Sequence, residues 1–180
     1  MKAIAFLRAI NVGGHTVKMD HLRGLFEALG FSGVETFIAS GNVIFETPVE
    51  DRRSLEQQIE GHLRQALGYE VATFIRTAAE LAAVAAHQPF PAVEAASNML
   101  YIGFLQAPPS DHTRQKLLAL QTPLDEFHVN ARELYWLCRT SISQSAVSGA
   151  KLERALGMPT TLRNVTTVRK LASKYPAHLS

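Results

Sequence analysis

The chain has 180 residues, a net charge of +2, 47% hydrophobic and 19% charged content, the profile of an ordinary globular protein with ample length for a core. Bulk charge this small gives no argument for a nucleic-acid partner, and the single Cys138 excludes an intramolecular disulfide. Arg8 breaks the first apolar run too early for a secretory signal, and the longest uncharged stretch, 95–110, carries two prolines; the expected setting is the cytosol, with no membrane association.

The first strand is expected over 2–10, followed by a helix in which Met19, Leu22, Phe26 and Leu29 share a face. Val34–Ala39 and Val43–Glu46 are β-rich runs joined by the hairpin signal Ser40-Gly41-Asn42. Leu55, Ile59, Leu63 and Leu67 space a second helix, and Val71–Arg76 reads as a fourth strand. Ala78–Ala86 reads as a short helix stopped by Gln88-Pro89-Phe90-Pro91. The order then recurs: a strand over 98–105, a helix over 110–120 capped by Ser110, a hairpin from 126–130 and 133–139, and a helix over 145–156. This second copy is expected to close in a helix around 168–174 instead of a fourth strand.

Three helices end on the same pattern, Ala28-Leu29-Gly30-Phe31, Ala66-Leu67-Gly68-Tyr69 and Ala155-Leu156-Gly157-Met158. A glycine followed by an apolar residue is the signature of a left-handed C-terminal cap. With the repeated element order it favours a duplication. The expected fold class is α+β: two intertwined ferredoxin-like βαββα units with antiparallel sheets, helices on one face, plus a C-terminal helix. The expected organisation is a first unit at 1–77, a linker helix and proline-containing connection at 78–97, and a second unit with a helical tail at 98–180.

Three polar clusters fall where apolar strands should end, and they are the candidate site. In such a plait the end of strand 1, the 2–3 hairpin and the start of helix 1 share an edge. Arg8, Asn11, Gly13, Gly14, Lys18, Ser40 and Asn42 would meet there. Gly13-Gly14 would let backbone N–H groups approach an anion, helix 1 would offer its positive end, and Arg8 and Lys18 would add charge. The equivalent edge of the second copy, Gln106-Ala107-Pro108-Pro109 with Asn130-Ala131-Arg132, has neither Gly-Gly nor lysine, so the site is not duplicated. Arg163 and Asn164 form the third cluster, within a basic segment, 151–175, of net +5. The clusters are expected to converge on one cleft. Each also has a plain structural reading: Gly-Gly as a turn, Arg8 on a solvent face, Ser40-Gly41-Asn42 as hairpin chemistry, and Arg163 and Asn164 tying the tail to the sheet.

No metal site and no cofactor are expected. The seven histidines contain no i, i+4 pair, and neither a Walker A nor a G-x-G-x-x-G motif occurs. Ser40 has no nucleophile elbow around it. Asp125 and Glu126 lie on a turn beside a strand and point apart, and Cys138 and Trp136 read as core. The first functional reading is a binding domain for a small phosphorylated or anionic ligand, with nucleic acid possible as a partner but not favoured. Its rivals are a small transferase or hydrolase using the same pocket, and a protein-interaction module whose polar clusters only fix loops.

Three segments together resemble the bacterial domain-of-unknown-function family 1697. They are Ala5–Gly14 with Val17-Lys18-Met19, then Thr36–Phe45, and finally Thr161–Asn164 through Thr167–Leu171. The resemblance implies an intertwined α+β fold of ferredoxin-like type and brings no activity with it. Ala9 stands where that family usually has glycine, and Val165 where it usually has tryptophan.

Overall fold

The computed structural model describes residues 1–38, 41–91 and 99–178. Among them are eight strands: β1 (Lys2–Leu7), β2 (Ser32–Thr36), β3 (Asn42–Glu46), β4 (Thr73–Thr77), β5 (Leu100–Phe104), β6 (Asp125–Asn130), β7 (Glu133–Cys138) and β8 (Thr161–Asn164). The helices are α1 (Met19–Glu27), α2 (Arg52–Leu67), α3 (Ala78–Ala86), α4 (Asp111–Leu118), α5 (Gly149–Leu156) and α6 (Val165–Lys174). They form an α+β fold with two four-stranded antiparallel sheets, ordered β2-β3-β1-β4 and β6-β7-β5-β8. By position in the repeat these two orders are the same.

Two compact units result, Met1–Ala82 with Tyr175–Ser180, and Ala83–Lys174. In the first, Ala3, Ala5 and Leu7 of β1 pack with Leu22 and Phe26 of α1 and Leu55, Ile59 and Leu63 of α2. The apolar spacings read from the sequence are those core faces. In the second, Leu134, Trp136 and Cys138 of β7 pack with Leu117 of α4 and Leu152 and Leu156 of α5. Trp136 is fully buried, and its Nε1 donates to Asp125 Oδ1 at 3.0 Å. Asp125 also accepts from Ser145 and Thr122. Burial alone would raise its pKa, but hydrogen bonds from Ser145, Thr122, Trp136 and Cys138 hold it below the ordinary value. Asp125 thus serves as a structural anchor.

The second repeat does have a fourth strand, which corrects the expectation of a helix in its place. β8 pairs with β5, and α6 follows it directly. Its four residues, Thr-Leu-Arg-Asn, bury the polar Thr161 and Arg163 and leave Leu162 partly exposed. The alternation is inverted, so a hydrophobic pattern does not reveal it. α5 is also shorter than its expected span, because Ser148 caps it by accepting from Lys151 N. Gly68 and Gly157 cap α2 and α5 in the left-handed region, with φ of 84° and 66°, whereas α1 is capped by Ala28 and Gly30, with φ 87°, stands two residues beyond that cap.

Carboxylates protect the outer edge of the first sheet. Alternate β4 amides point away from β1: Thr73 N donates to Glu60, Ile75 N to Glu56 and Thr77 N to Glu80. An edge whose N–H groups are taken offers no template to another strand. Glu56 is buried in doing so, and burial pushes its pKa up against the opposing pull of the Ile75 amide and Arg53. In the second unit Glu153 accepts from Thr160 N just before β8.

The C-terminal part of α3 belongs to the second unit, where the Tyr135 hydroxyl donates to the Val84 carbonyl at 3.1 Å. Just beyond the helix, His87 Nε2 lies 3.3 Å from His128 Nε2 on β6. Burial, then the charges of His87 and Arg114, hold the His128 pKa below its ordinary value. The unfolded chain therefore takes up a proton at higher pH than the folded one. Stability present above about pH 6.5 should be lost as pH falls from there through the depressed folded value. Urea denaturation between pH 7.5 and 5 should show this decline, and His128→Asn should flatten it. An equal decline in the variant would place the effect elsewhere.

Candidate functional site

At the end of β1 both neighbours still hold the chain: Leu7 N donates to Gly41 O at 2.8 Å and Arg8 N to Ala72 O at 3.0 Å. The backbone then turns out at Ala9, with φ 55°, and dips in once more to bury Ile10. Tyr69 anchors that point, its hydroxyl donating to the Ile10 carbonyl at 2.8 Å. Asn11 Oδ1 accepts from Val17 N at 2.7 Å and so closes the loop 11–17 on itself. His15 lies flat on the Tyr69 ring, with centroids 3.7 Å apart.

Within this closed loop Asn11 through Thr16 are exposed, while Val17 is buried. Gly13 and Gly14 have φ of 69° and 82°, and no atom lies within 4 Å of where either Cβ would stand. Their requirement is therefore conformational, since only glycine adopts this region without strain. Lys18 follows as the N-cap of α1, and no side chain caps the helix there. The first intrahelical bond is Leu22 N to Lys18 O, which leaves the preceding amides outside the helical ladder. Lys18 is exposed, and no ion pair among the described residues holds its ammonium. Asp20 faces Arg23 at 3.9 Å.

The other expected site residues are placed differently. Asn42 is fully buried, and its Nδ2 donates to the Phe37 carbonyl at 2.7 Å, closing the β2–β3 hairpin. Arg163 is 7% exposed on β8, donating to Thr161 Oγ1 at 2.7 Å and the Leu162 carbonyl at 2.9 Å. Burial lowers its pKa to about 10. Asn164 Oδ1 accepts from Thr166 N at 2.9 Å, a cap at the start of α6. Ser40 lies outside the described residues, as does segment 92–98 of the expected connection. In the first unit the structure thus brings together Arg8, Asn11, Gly13, Gly14 and Lys18 on one edge, with Asn42 beneath it. Arg163 and Asn164 stand in the second unit.

Gly41 is the residue that sequence reasoning undervalued. Its φ is 85°, and a Cβ there would lie 2.9 Å from Ile10 Cγ2 and 3.1 Å from Leu7 Cβ. The hairpin therefore rests against the exit of β1 through a backbone-only contact. The Tyr69 anchor was equally hidden, being 59 residues from its partner Ile10. Among the described residues no group of three or more His, Cys, Asp or Glu side chains could hold a metal. No described helix is long and apolar enough to cross a membrane.

The family model described as "Protein of unknown function (DUF1697)" matches residues 1–135. The chain belongs to that family. The matched span includes the whole loop 11–17 and the β2–β3 hairpin, whereas the 161–171 segment lies beyond it. No curated protein matches the chain. A solved structure, conserved bacterial protein SP0830 from Streptococcus pneumoniae, is similar in fold, with TM-score 0.76 at 20% identity over 98% of each chain.

The exit of β1 carries a local strain. Ala9 occupies the left-handed region at φ 55°, which costs a residue with a Cβ roughly 1 kcal/mol. Ala9→Gly should raise stability by about 0.5–1 kcal/mol, the gain reduced by the greater freedom of glycine in the unfolded chain. Gly41→Ala should lower it by more than about 2 kcal/mol, because strain and overpacking add there. Chemical denaturation of both variants checks the pair; a destabilised Ala9→Gly would contradict the strain argument.

Proposed function

We propose that this DUF1697 protein is a cytosolic binding protein for a small phosphate-bearing ligand, held at the edge formed by loop 11–17 and the start of α1. The observation that carries the reading is the pair of exposed glycines, Gly13 and Gly14, set beside the N-terminus of α1, which no side chain caps, and the Lys18 ammonium, which no ion pair among the described residues holds. Open backbone amides, a positive helix end and a lysine are complementary to an anion with several acceptor oxygens. Arg8 at the root of the loop is half-buried and adds a second cation.

The tasks of Asn11, Tyr69 and His15 support preorganisation. Asn11 fixes the loop to Val17, and Tyr69 fixes it to the sheet through Ile10. A loop already shaped loses little entropy on binding. His15 is engaged in a ring stack and Asp20 in an ion pair. That favours binding over proton transfer. A single short loop with two cations also favours a small ligand over a nucleic-acid backbone, which needs many phosphate contacts to bind tightly at physiological salt.

Inorganic phosphate, at ionic strength matched with chloride, should raise the melting temperature of the native chain, because a ligand bound only to the folded state stabilises it, by about 2.7 kcal/mol at a hundredfold excess over Kd. Lys18→Ala should weaken the shift and Arg8→Ala should abolish it, with the phosphate-free melt of Lys18→Ala near wild type. A shift equal in all three proteins would overturn the site. Nanomolar affinity for RNA or DNA near 0.15 M salt would overturn the ligand class.

A further inference from the structure

The second unit carries a basic groove that the reading above does not use. α4 and α5 pack side by side on the second sheet, and between them opens a cavity of about 410 Å³ lined by Lys116, Leu120, Lys151, Arg154 and Ala155. Lys151, Arg154 and Ala155 are spaced i, i+3 and i+4, so they form one ridge of α5, while Leu152 and Leu156 face the core. Lys116 lies in the last turn of α4, and Leu120 follows that helix.

Three of the five lining residues are cations and none is an acid. Lys116 and Arg154 are exposed, with no ion pair or hydrogen bond to either side chain among the described residues. Lys151 has only a contact from Nζ to the Ala146 carbonyl at 3.4 Å. The acid on the same helix, Glu153, is turned to Thr160 N. Asp111, on the first turn of α4, is five residues from Lys116 and so projects from another side of the helix. Like charges at i, i+3 repel, and here a third cation from the facing helix adds to them, with no acid among the lining residues.

We infer that this groove binds a small soluble molecule with one anionic head and an alkyl or aryl body. Leu120 and Ala155 would receive the body, and Lys116, Lys151 and Arg154 the carboxylate, sulfonate or phosphate head. The volume lies in the range of small-molecule sites, which are largely apolar with a few charged groups that fix orientation. No aromatic side chain lines the groove on which a base could stack, so a single-stranded nucleic acid fits poorly. The inference is independent of the loop 11–17 site.

The test is fluorescence titration of the full chain with 8-anilinonaphthalene-1-sulfonate, followed by displacement with octanoate. Saturable binding near one equivalent, displaced by octanoate but not by octanol, is the expected result. The double variant Lys151→Glu, Arg154→Glu should weaken it at least tenfold while keeping the wild-type melt, since both side chains are exposed. Lys18→Ala should leave it unchanged, which separates this site from the phosphate site. Equal affinity in the double variant, displacement by octanol as strong as by octanoate, or charge-dependent binding only to anionic phosphatidylserine vesicles would each overturn the inference.

Discussion

Past Lys2, β1 has no place for a polar side chain, and the rest of the first unit follows from that. Ala3 through Leu7 are wholly buried, with hydrogen bonds to β3 on one side and β4 on the other. A strand enclosed on both faces and both edges has no place for a charge. After Lys2 at the start of the strand, the next charged side chain that the chain admits is Arg8, where β1 leaves the sheet. Polarity, glycine and helix start are thereby crowded into the ten residues that follow. Gly41 sets how closely the hairpin approaches this exit, through its contacts with Leu7 and Ile10.

The two repeats obey the same constraint and differ where function would reside. Ile4 pairs with Ile44 and Arg76, and Ile102 pairs with Tyr135 and Arg163, so the buried arginines occupy corresponding positions. Each donates Nη1 to the carbonyl of its preceding residue, at 2.8 Å from Arg76 and 2.9 Å from Arg163. The segment after each fourth-strand helix then meets a second-strand residue, His87 with His128 and Tyr175 with Glu35. Burial and the Glu35 carboxylate both push the Tyr175 pKa up. At the exit of the first strand the two repeats differ. Ser110 caps α4 by accepting from Thr113 N, whereas Lys18 leaves α1 open. A capped helix start has spent what an open one can offer an anion.

The helices were legible in the sequence because each buries one stripe: Leu22 and Phe26, Leu55 with Ile59 and Leu63, and Leu152 with Leu156. The glycine caps were legible because the left-handed region selects for them. β8 was not, since it buries Thr161 and Arg163 by hydrogen bonding instead of apolar contact. The same limit governs the site. Gly13, Gly14 and Lys18 could be read as exposed chemistry, but Asn42 and Arg163 carry the same residue-type signal and point inward. Residue type says that a hydrogen bond will form; burial decides whether protein or ligand receives it.

The central claim is that phosphate is held by backbone amides at the exit of the first strand in the first repeat and not at the equivalent edge of the second. Amide-resolved NMR during a titration with inorganic phosphate tests it most directly. The account predicts saturable shifts at Gly13, Gly14 and the first-turn amides Met19, Asp20 and His21, with none at Gln106, Ala107 or Ser110. Shifts shared by both strand ends, or absent from Gly13 and Gly14 while other amides respond, would contradict it.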